Sequence, residues 1–318
     1  MPGQMSNGLI ATFLLSMLAV SLVTDGADIP SQHTDRNQFT IGILRGDSAI
    51  IPLAEYHDGK WLDRWPSPDG SGEDIKGQST VWYYRASSDK ATLIKTSKII
   101  KVQIHCQENW AVLCDFPGRP LKAGEHSLNI GVALDIDKRV ANPIEIINGS
   151  QERRIITSFI RPAFDKSLGL KPPGIDSFAS EVHYPSNAER RKARLIIDGL
   201  YRNGEPIDGQ RIYYVEAEKE YKNSFFDKTD PSCNMISFFQ GWIVQNKRGA
   251  LRLIDSRYLL SHCEPKDVTS SKLLGILPMS DRIFFITEDQ GYEEESYRIL
   301  ELKGSRIKQV LKVYGGAC

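Results

Sequence analysis

The sequence predicts an all-β fold from two kinds of local signal. In residues 100–106, Ile100, Val102 and Ile104 alternate with polar side chains, and residues 128–136 repeat the same pattern. A period of two is typical of strands with one buried face. Turn-forming dipeptides such as Asp58-Gly59 and Asp208-Gly209 separate these segments. We count about eighteen candidate strands on this basis.

An internal repeat suggests how the strands are organised. Residues 41–55 (IGILRGDSAIIPLAE) and 274–288 (LGILPMSDRIFFITE) align without a gap, and residues 130–139 form a fainter copy. The copies are spaced by multiples of roughly 45 to 48 residues, close to the size of one propeller blade. We therefore predict a β-propeller of about five or six blades, with a β-sandwich or two β domains as alternatives. In a closed ring, strands from the two chain ends should share one sheet.

Two segments with Asn-Gly or Asp-Gly dipeptides are interpreted as hairpins, and one of them also has a helix signal. Residues 143–159 (PIEIINGSQERRIITSF) are interpreted as a hairpin with an Asn148-Gly149 turn. Residues 187–204 (NAERRKARLIIDGLYRNG) have apolar side chains at helical spacing, but their Asp198-Gly199 dipeptide favours a hairpin. Both possibilities stay open for the second segment.

The N-terminus predicts export. Residues 9–23 (LIATFLLSMLAVSLV) form an uncharged apolar run that is short for a membrane span and suits a signal peptide. No Lys or Arg precedes the run, so an uncleaved anchor or a different start remains an alternative. We predict a signal peptide over residues 1–27 and a single all-β domain over residues 28–318. The mature protein is expected to be periplasmic or secreted, without a membrane span.

Composition and motifs argue against several classes of function. Lys plus Arg and Asp plus Glu both number 40, so the net charge of zero offers no field that attracts nucleic acid. The sequence contains no phosphate-binding glycine loop and no zinc-protease motif. In the pairs His105-Cys106 and His262-Cys263, neighbouring residues of a strand would point to opposite faces, which disfavours a shared metal. We expect neither a cofactor nor a metal.

The five cysteines are disulfide candidates because disulfides form in exported proteins. They are Cys106, Cys114, Cys233, Cys263 and Cys318. Cys106 and Cys114 could face each other across a hairpin, and Cys233 and Cys263 could join neighbouring strands. A bridge from Cys318 would fix the C-terminus. Spacing does not rank these pairings.

The tripeptide Arg45-Gly46-Asp47 resembles a cell-adhesion ligand but is interpreted as a turn. It lies between two apolar segments, and Gly and Asp favour turns for backbone reasons. A hairpin therefore explains the tripeptide without a receptor.

The candidate binding residues are Trp61 and Trp65, in the polar stretch DGKWLDRWPSPDG. Exposed tryptophans bind sugars or protein partners, whereas buried ones cover the edges of β cores. We predict an exported binding protein without enzymatic activity, which takes a protein or glycan ligand on its loops. The alternative is an extracytoplasmic hydrolase acting on a glycan or ester through loop carboxylates such as Asp63, Asp69 and Asp74.

Overall fold

A computed structural model describes most of the chain after residue 37. The described residues are 38–46, 48–67, 72, 81–84, 91–104, 106–115, 129–138, 140, 143–166, 184–225, 233–261, 268–279 and 282–318. They contain sixteen strands and two helices, which confirms the predicted all-β class. No helix among them is long and apolar enough to cross a membrane.

Seven strands build the first sheet. They are β1 (Gln38–Arg45), β2 (Ala49–His57), β3 (Lys60–Asp63), β4 (Val81–Tyr84), β5 (Thr92–Ile104), β6 (Gln107–Asp115) and β7 (Asn129–Leu134). The order β1-β7-β4-β5-β6-β2 closes into a six-stranded barrel because β1 also pairs with β2, and β3 extends the β2 edge. All six barrel strands contribute to one buried cluster, which includes Trp82 and Ile94. Gly42 makes room within it, because a Cβ there would lie 2.5 Å from Ile50 Cγ2.

The second sheet is an antiparallel meander with two apolar faces. It consists of β13 (Ser270–Met279), β14 (Arg282–Gln290), β15 (Glu294–Lys303) and β16 (Arg306–Ala317). Successive side chains of β14 pack against different layers, because side chains alternate between the two faces of a strand. Phe284 packs with barrel residues, whereas Phe285 packs with residues of a third sheet. This meander is therefore a central layer.

The third sheet has the order β12-β11-β10-β9-β8 and carries a helix on its outer face. Its strands are β8 (Pro143–Glu145), β9 (Ile196–Asn203), β10 (Arg211–Phe225), β11 (Asn234–Gln245) and β12 (Leu251–Ser261). Helix α1 (Gln151–Lys166) packs Ile156, Ile160 and Phe164 against this sheet, whereas the short helix α2 (Asn187–Lys192) precedes β9. The layers thus run from barrel to meander to five-stranded sheet to helix.

The predicted hairpin over residues 143–159 is wrong. After the turn at Gly149, the Ser150 hydroxyl accepts a hydrogen bond from Arg153 N (3.2 Å) and begins α1. Ile156, Ile160 and Phe164 then lie on one helical face, so helical periodicity continues beyond the turn. In residues 187–204, where helix and hairpin were both open, α2 begins after a Ser186 capping box, and β9 follows it.

The repeat corresponds to two real hairpins, but they lie in different sheets. Residues 41–55 belong to the β1–β2 hairpin of the barrel, and residues 274–288 to the β13–β14 hairpin of the meander. Ile43 of the first and Leu277 of the second belong to the same buried cluster. A ring of propeller blades is not shown. The expectation that strands from the two ends share a sheet is wrong, because β1 and β16 lie in separate sheets that pack face to face.

The tripeptide begins with Arg45, the last residue of β1. The amide of Ser48 donates to the carbonyl of Arg45 (3.2 Å), which closes the β1–β2 turn, while Asp47 lies outside the described residues. Arg45 is only 2% exposed, and its Nη2 donates to the carbonyl of Gln103 (3.1 Å). An adhesion ligand needs an accessible guanidinium, so the structure supports the turn interpretation.

One disulfide fixes the C-terminus. Cys106, between β5 and β6, bonds to Cys318, and their Cα atoms are 5.0 Å apart. The proposed Cys106–Cys114 pairing is therefore wrong, and Cys114 is buried inside the barrel cluster. Cys233 is disulfide-bonded as well. Cys263 lies outside the described residues.

Candidate functional site

The two candidate tryptophans lie between the barrel and the meander. Trp61 is 8% exposed and packs its ring edge-on against Phe284, with ring centroids 5.4 Å apart. Trp65 lies 5.0 Å from the ring of Tyr297, and its Nε1 donates to Asn109 Oδ1 (3.3 Å). Both side chains therefore contribute to the packing of these two layers. A binding role for them stays a prediction.

Trp61 also lines a surface groove of about 460 Å³. The groove runs between β3 and the strands β14 to β16, with Lys60, Arg282 and Lys308 along it. Arg282 forms an ion pair with Glu301 (3.6 Å). Among the carboxylates proposed for hydrolysis, Asp63 is exposed and caps Trp65 N (2.7 Å), and Asp69 and Asp74 lie outside the described residues.

A second cleft is lined by three carboxylates and one lysine. It has a volume of about 310 Å³, and we call it the junction cleft because it lies where the five-stranded sheet meets the edge of the meander. Strands β9, β10, β13 and β14 supply its lining. The described lining residues are Asp198, Gly199, Tyr201, Glu216, Ser270, Ser271, Lys272, Glu288 and Gln290.

Glu216 is the most firmly positioned carboxylate of this cleft. Its Oε1 accepts hydrogen bonds from Tyr214 Oη (2.6 Å), Gln240 Nε2 (2.9 Å) and the amide of Ser271 (2.7 Å). The amide is available because β13 is an edge strand of the meander. Glu216 therefore joins the two sheets through one oxygen.

The other oxygen of Glu216 faces the neighbouring strand. Gly199 is its register partner on β9, and a Cβ added there would lie 3.9 Å from Glu216 Oε2 and 3.1 Å from the Tyr201 ring. A glycine at this position thus leaves space beside the carboxylate. The pKa of Glu216 is raised to about 7. Burial is the main cause and nearby Asp198 adds to it, whereas the three hydrogen-bond donors act in the opposite direction.

Glu288 is the deepest carboxylate of the cleft and is 3% exposed. Its Oε1 accepts from Gln290 Nε2 (2.9 Å), whereas its Oε2 has no hydrogen-bond partner among the described residues. Burial and the nearby Glu295 raise its pKa, and Lys272 and Asn129 counteract this. Burying a carboxylate oxygen without a hydrogen-bond partner destabilises the folded state, so the surrounding structure must hold Glu288 in place at a cost in stability.

Two further groups complete the electrostatics of the cleft. Asp198 lies at the exposed rim, and its pKa is raised to about 6 by partial desolvation and by Glu218. Tyr201 has a pKa raised to about 12 by burial and by surrounding carboxylates that include Glu216 and Glu288. The Tyr201 hydroxyl therefore stays a hydrogen-bond donor at neutral pH.

Sequence reasoning missed this cleft, although one signal was present. Ile212, Tyr214 and Glu216 fall on one face of β10, so a Glu interrupts an otherwise apolar face that packs on the meander. A buried acid on the core side of a strand is a functional-site candidate. The partners that make it a site come from β9, β13 and β14, which spacing does not connect.

The chain matches no protein-family model, and no curated protein or solved structure shows significant similarity to it. The geometry of the junction cleft is therefore the main guide to function.

Proposed function

We propose that this chain is an exported binding protein without enzymatic activity, and that its junction cleft holds the ligand. The observation that carries the proposal is the geometry of Glu216. One oxygen is fixed by three donors while the other faces a cleft of ligand size. Such a carboxylate is preorganised, so binding a ligand costs little side-chain entropy.

The scaffold supports a binding role. The cleft is lined by strands of two sheets that share a buried apolar cluster, rather than by a long loop. Sites built on strands are held more precisely than sites on loops. The Cys106–Cys318 disulfide supports export, because such bonds persist in oxidising compartments.

Hydrolysis of a glycan or ester is the second candidate. It is favoured by Glu216, because a carboxylic acid with a pKa of about 7 can act as a general acid or base, and by the nearby Glu288, whose pKa is also raised by burial. The two candidates differ in whether the ligand is changed after it binds.

One experiment separates them. The purified protein is screened by thermal shift against neutral oligosaccharides, amino sugars, polyamines and amino acids, and each mixture is then analysed for products by mass spectrometry. We expect at least one class to raise the melting temperature, with no product formed and no shift in the Glu216→Gln variant. Product formation that Glu216→Gln abolishes would favour the hydrolase. Equal shifts in both proteins would place the ligand elsewhere.

A further inference from the structure

We infer that the junction cleft is selective for an organic ammonium group, such as the terminal amine of a polyamine, an amino sugar or a lysine side chain. This inference rests on the proposed binding function and names the ligand class for the same cleft.

The first argument is charge. The described lining residues include three carboxylates, Asp198, Glu216 and Glu288, and one ammonium, Lys272. The Lys272 ammonium donates to the backbone oxygen of Asn129 (2.7 Å). With all three acids ionised, the lining carries two negative charges in excess, which a cationic ligand would neutralise.

The second argument concerns buried hydrogen-bond acceptors that lack a donor. At the barrel side of the cleft, Glu288 Oε2 and Asn129 Oδ1 are both buried and accept no hydrogen bond from the described residues. A side-chain interaction of hydrogen-bond type with Asn129 lowers the pKa of Glu288, but its geometry leaves both Glu288 Oε2 and Asn129 Oδ1 without a hydrogen-bond partner among the described residues. Two acceptors without donors call for a group that brings several N–H bonds, and a primary ammonium brings three. Glu288 Oε2 is shielded from solvent, so a ligand could reach it only if a neighbouring side chain of the cleft, such as Lys272, moved aside.

The third argument distinguishes an ammonium from a metal ion. No three acidic, His or Cys groups among the described residues lie close enough together to hold a metal. The carboxylates of the cleft are therefore spread along it instead of converging on one point. The ring of Tyr201 and the open backbone at Gly199 add apolar surface, which suits the alkyl part of an amine.

Calorimetric titration of the full chain with cadaverine at pH 7.5 tests this inference, and 1,5-pentanediol serves as the neutral control of equal length. We expect cadaverine to bind at least tenfold more tightly than the diol. The Glu216→Gln and Glu288→Gln variants should each weaken cadaverine at least tenfold. Glu205→Gln, an exposed change in the β9–β10 turn, should leave binding within twofold. Circular dichroism spectra confirm that each variant is folded.

A variant that should tighten binding distinguishes an effect of charge from a merely structural effect, because a structural disturbance would weaken binding. Lys272→Met removes the cation already in the cleft, so it should tighten cadaverine binding severalfold, whereas it would weaken an anionic ligand. Gly199→Ala keeps every charge but narrows the cleft, and should weaken cadaverine.

The possible failures are distinguishable. If the diol or a neutral oligosaccharide binds as tightly as cadaverine and depends on Glu216, the ammonium inference is wrong and the binding function stands. If calcium or magnesium competes with cadaverine at equal concentration, the cleft selects charge alone and the inference is also wrong. If none of these probes binds, both the inference and the proposed cleft function fail.

Discussion

The stability of the protein should depend on the protonation of Glu216, and the sign follows from the structure. The pKa of Glu216 is about 7 in the folded chain, against 4.5 for an unperturbed glutamate. The folded state therefore retains a proton between pH 4.5 and 7 that the unfolded state has lost. Because the folded state binds more protons in this window, the contribution of Glu216 to stability is fully present below pH 4.5 and is lost as the pH rises through 7.

The size of the effect follows from the difference of about 2.5 between the folded and unperturbed pKa values, which corresponds to about 3 kcal/mol. The glutamine side chain in Glu216→Gln resembles the protonated acid, so at pH 4.5 the substitution should leave the free energy of unfolding almost unchanged. At pH 8 the variant should be more stable than the wild type by up to about 3 kcal/mol.

Urea denaturation of both proteins at pH 4.5 and pH 8 measures this difference. Asp198 and Glu288 also have raised pKa values, so the wild type alone mixes several contributions. The difference between wild type and variant, compared at the two pH values, isolates Glu216. Glu205→Gln is the matched control and should show no such pH dependence. An equal wild-type-to-variant difference at both pH values would refute the reasoning.

The remaining predictions concern the scaffold. Gly42→Val should destabilise the barrel by about 1–3 kcal/mol or more, because its added atoms collide with Ile50, and thermal melting measures this. Cys318→Ser removes the bond to Cys106 and should cost on the order of 2–4 kcal/mol in urea denaturation, while reductant should destabilise the wild type at least as much, because it also reduces the disulfide of Cys233. Surfaces coated with the protein should not capture integrin-bearing cells, because Arg45 is buried; capture that Asp47→Glu abolishes would contradict this.

Local patterns predicted the strands well but not their arrangement. The alternation around residues 100–104 lies in β5, and the repeat marks two hairpins correctly. The barrel depends on pairings such as β1 with β7 and β4 with β7, which join strands far apart in the chain. No local period specifies such partners, so similar hairpins were equally compatible with propeller blades.

The helix α1 and the position of the tryptophans were both underdetermined by local sequence. An Asn-Gly turn fits a hairpin as well as the start of a helix, and only the following spacing of Ile156, Ile160 and Phe164 decides between them. Trp61 has polar neighbours in sequence but apolar neighbours in space, including Phe284 from the far end of the chain. The polarity of its sequence neighbours therefore could not decide whether Trp61 is exposed or packed.

The most direct test of the central claim is to map cadaverine on the folded protein by amide chemical-shift changes. If the junction cleft is the binding site, the amide signals of Gly199, Glu216 and Ser271 should shift together, with one dissociation constant. Glu216→Gln should remove these shifts. Saturable shifts confined to the groove beside Trp61, with Gly199 and Ser271 unchanged, would contradict the assignment of the junction cleft as the binding site.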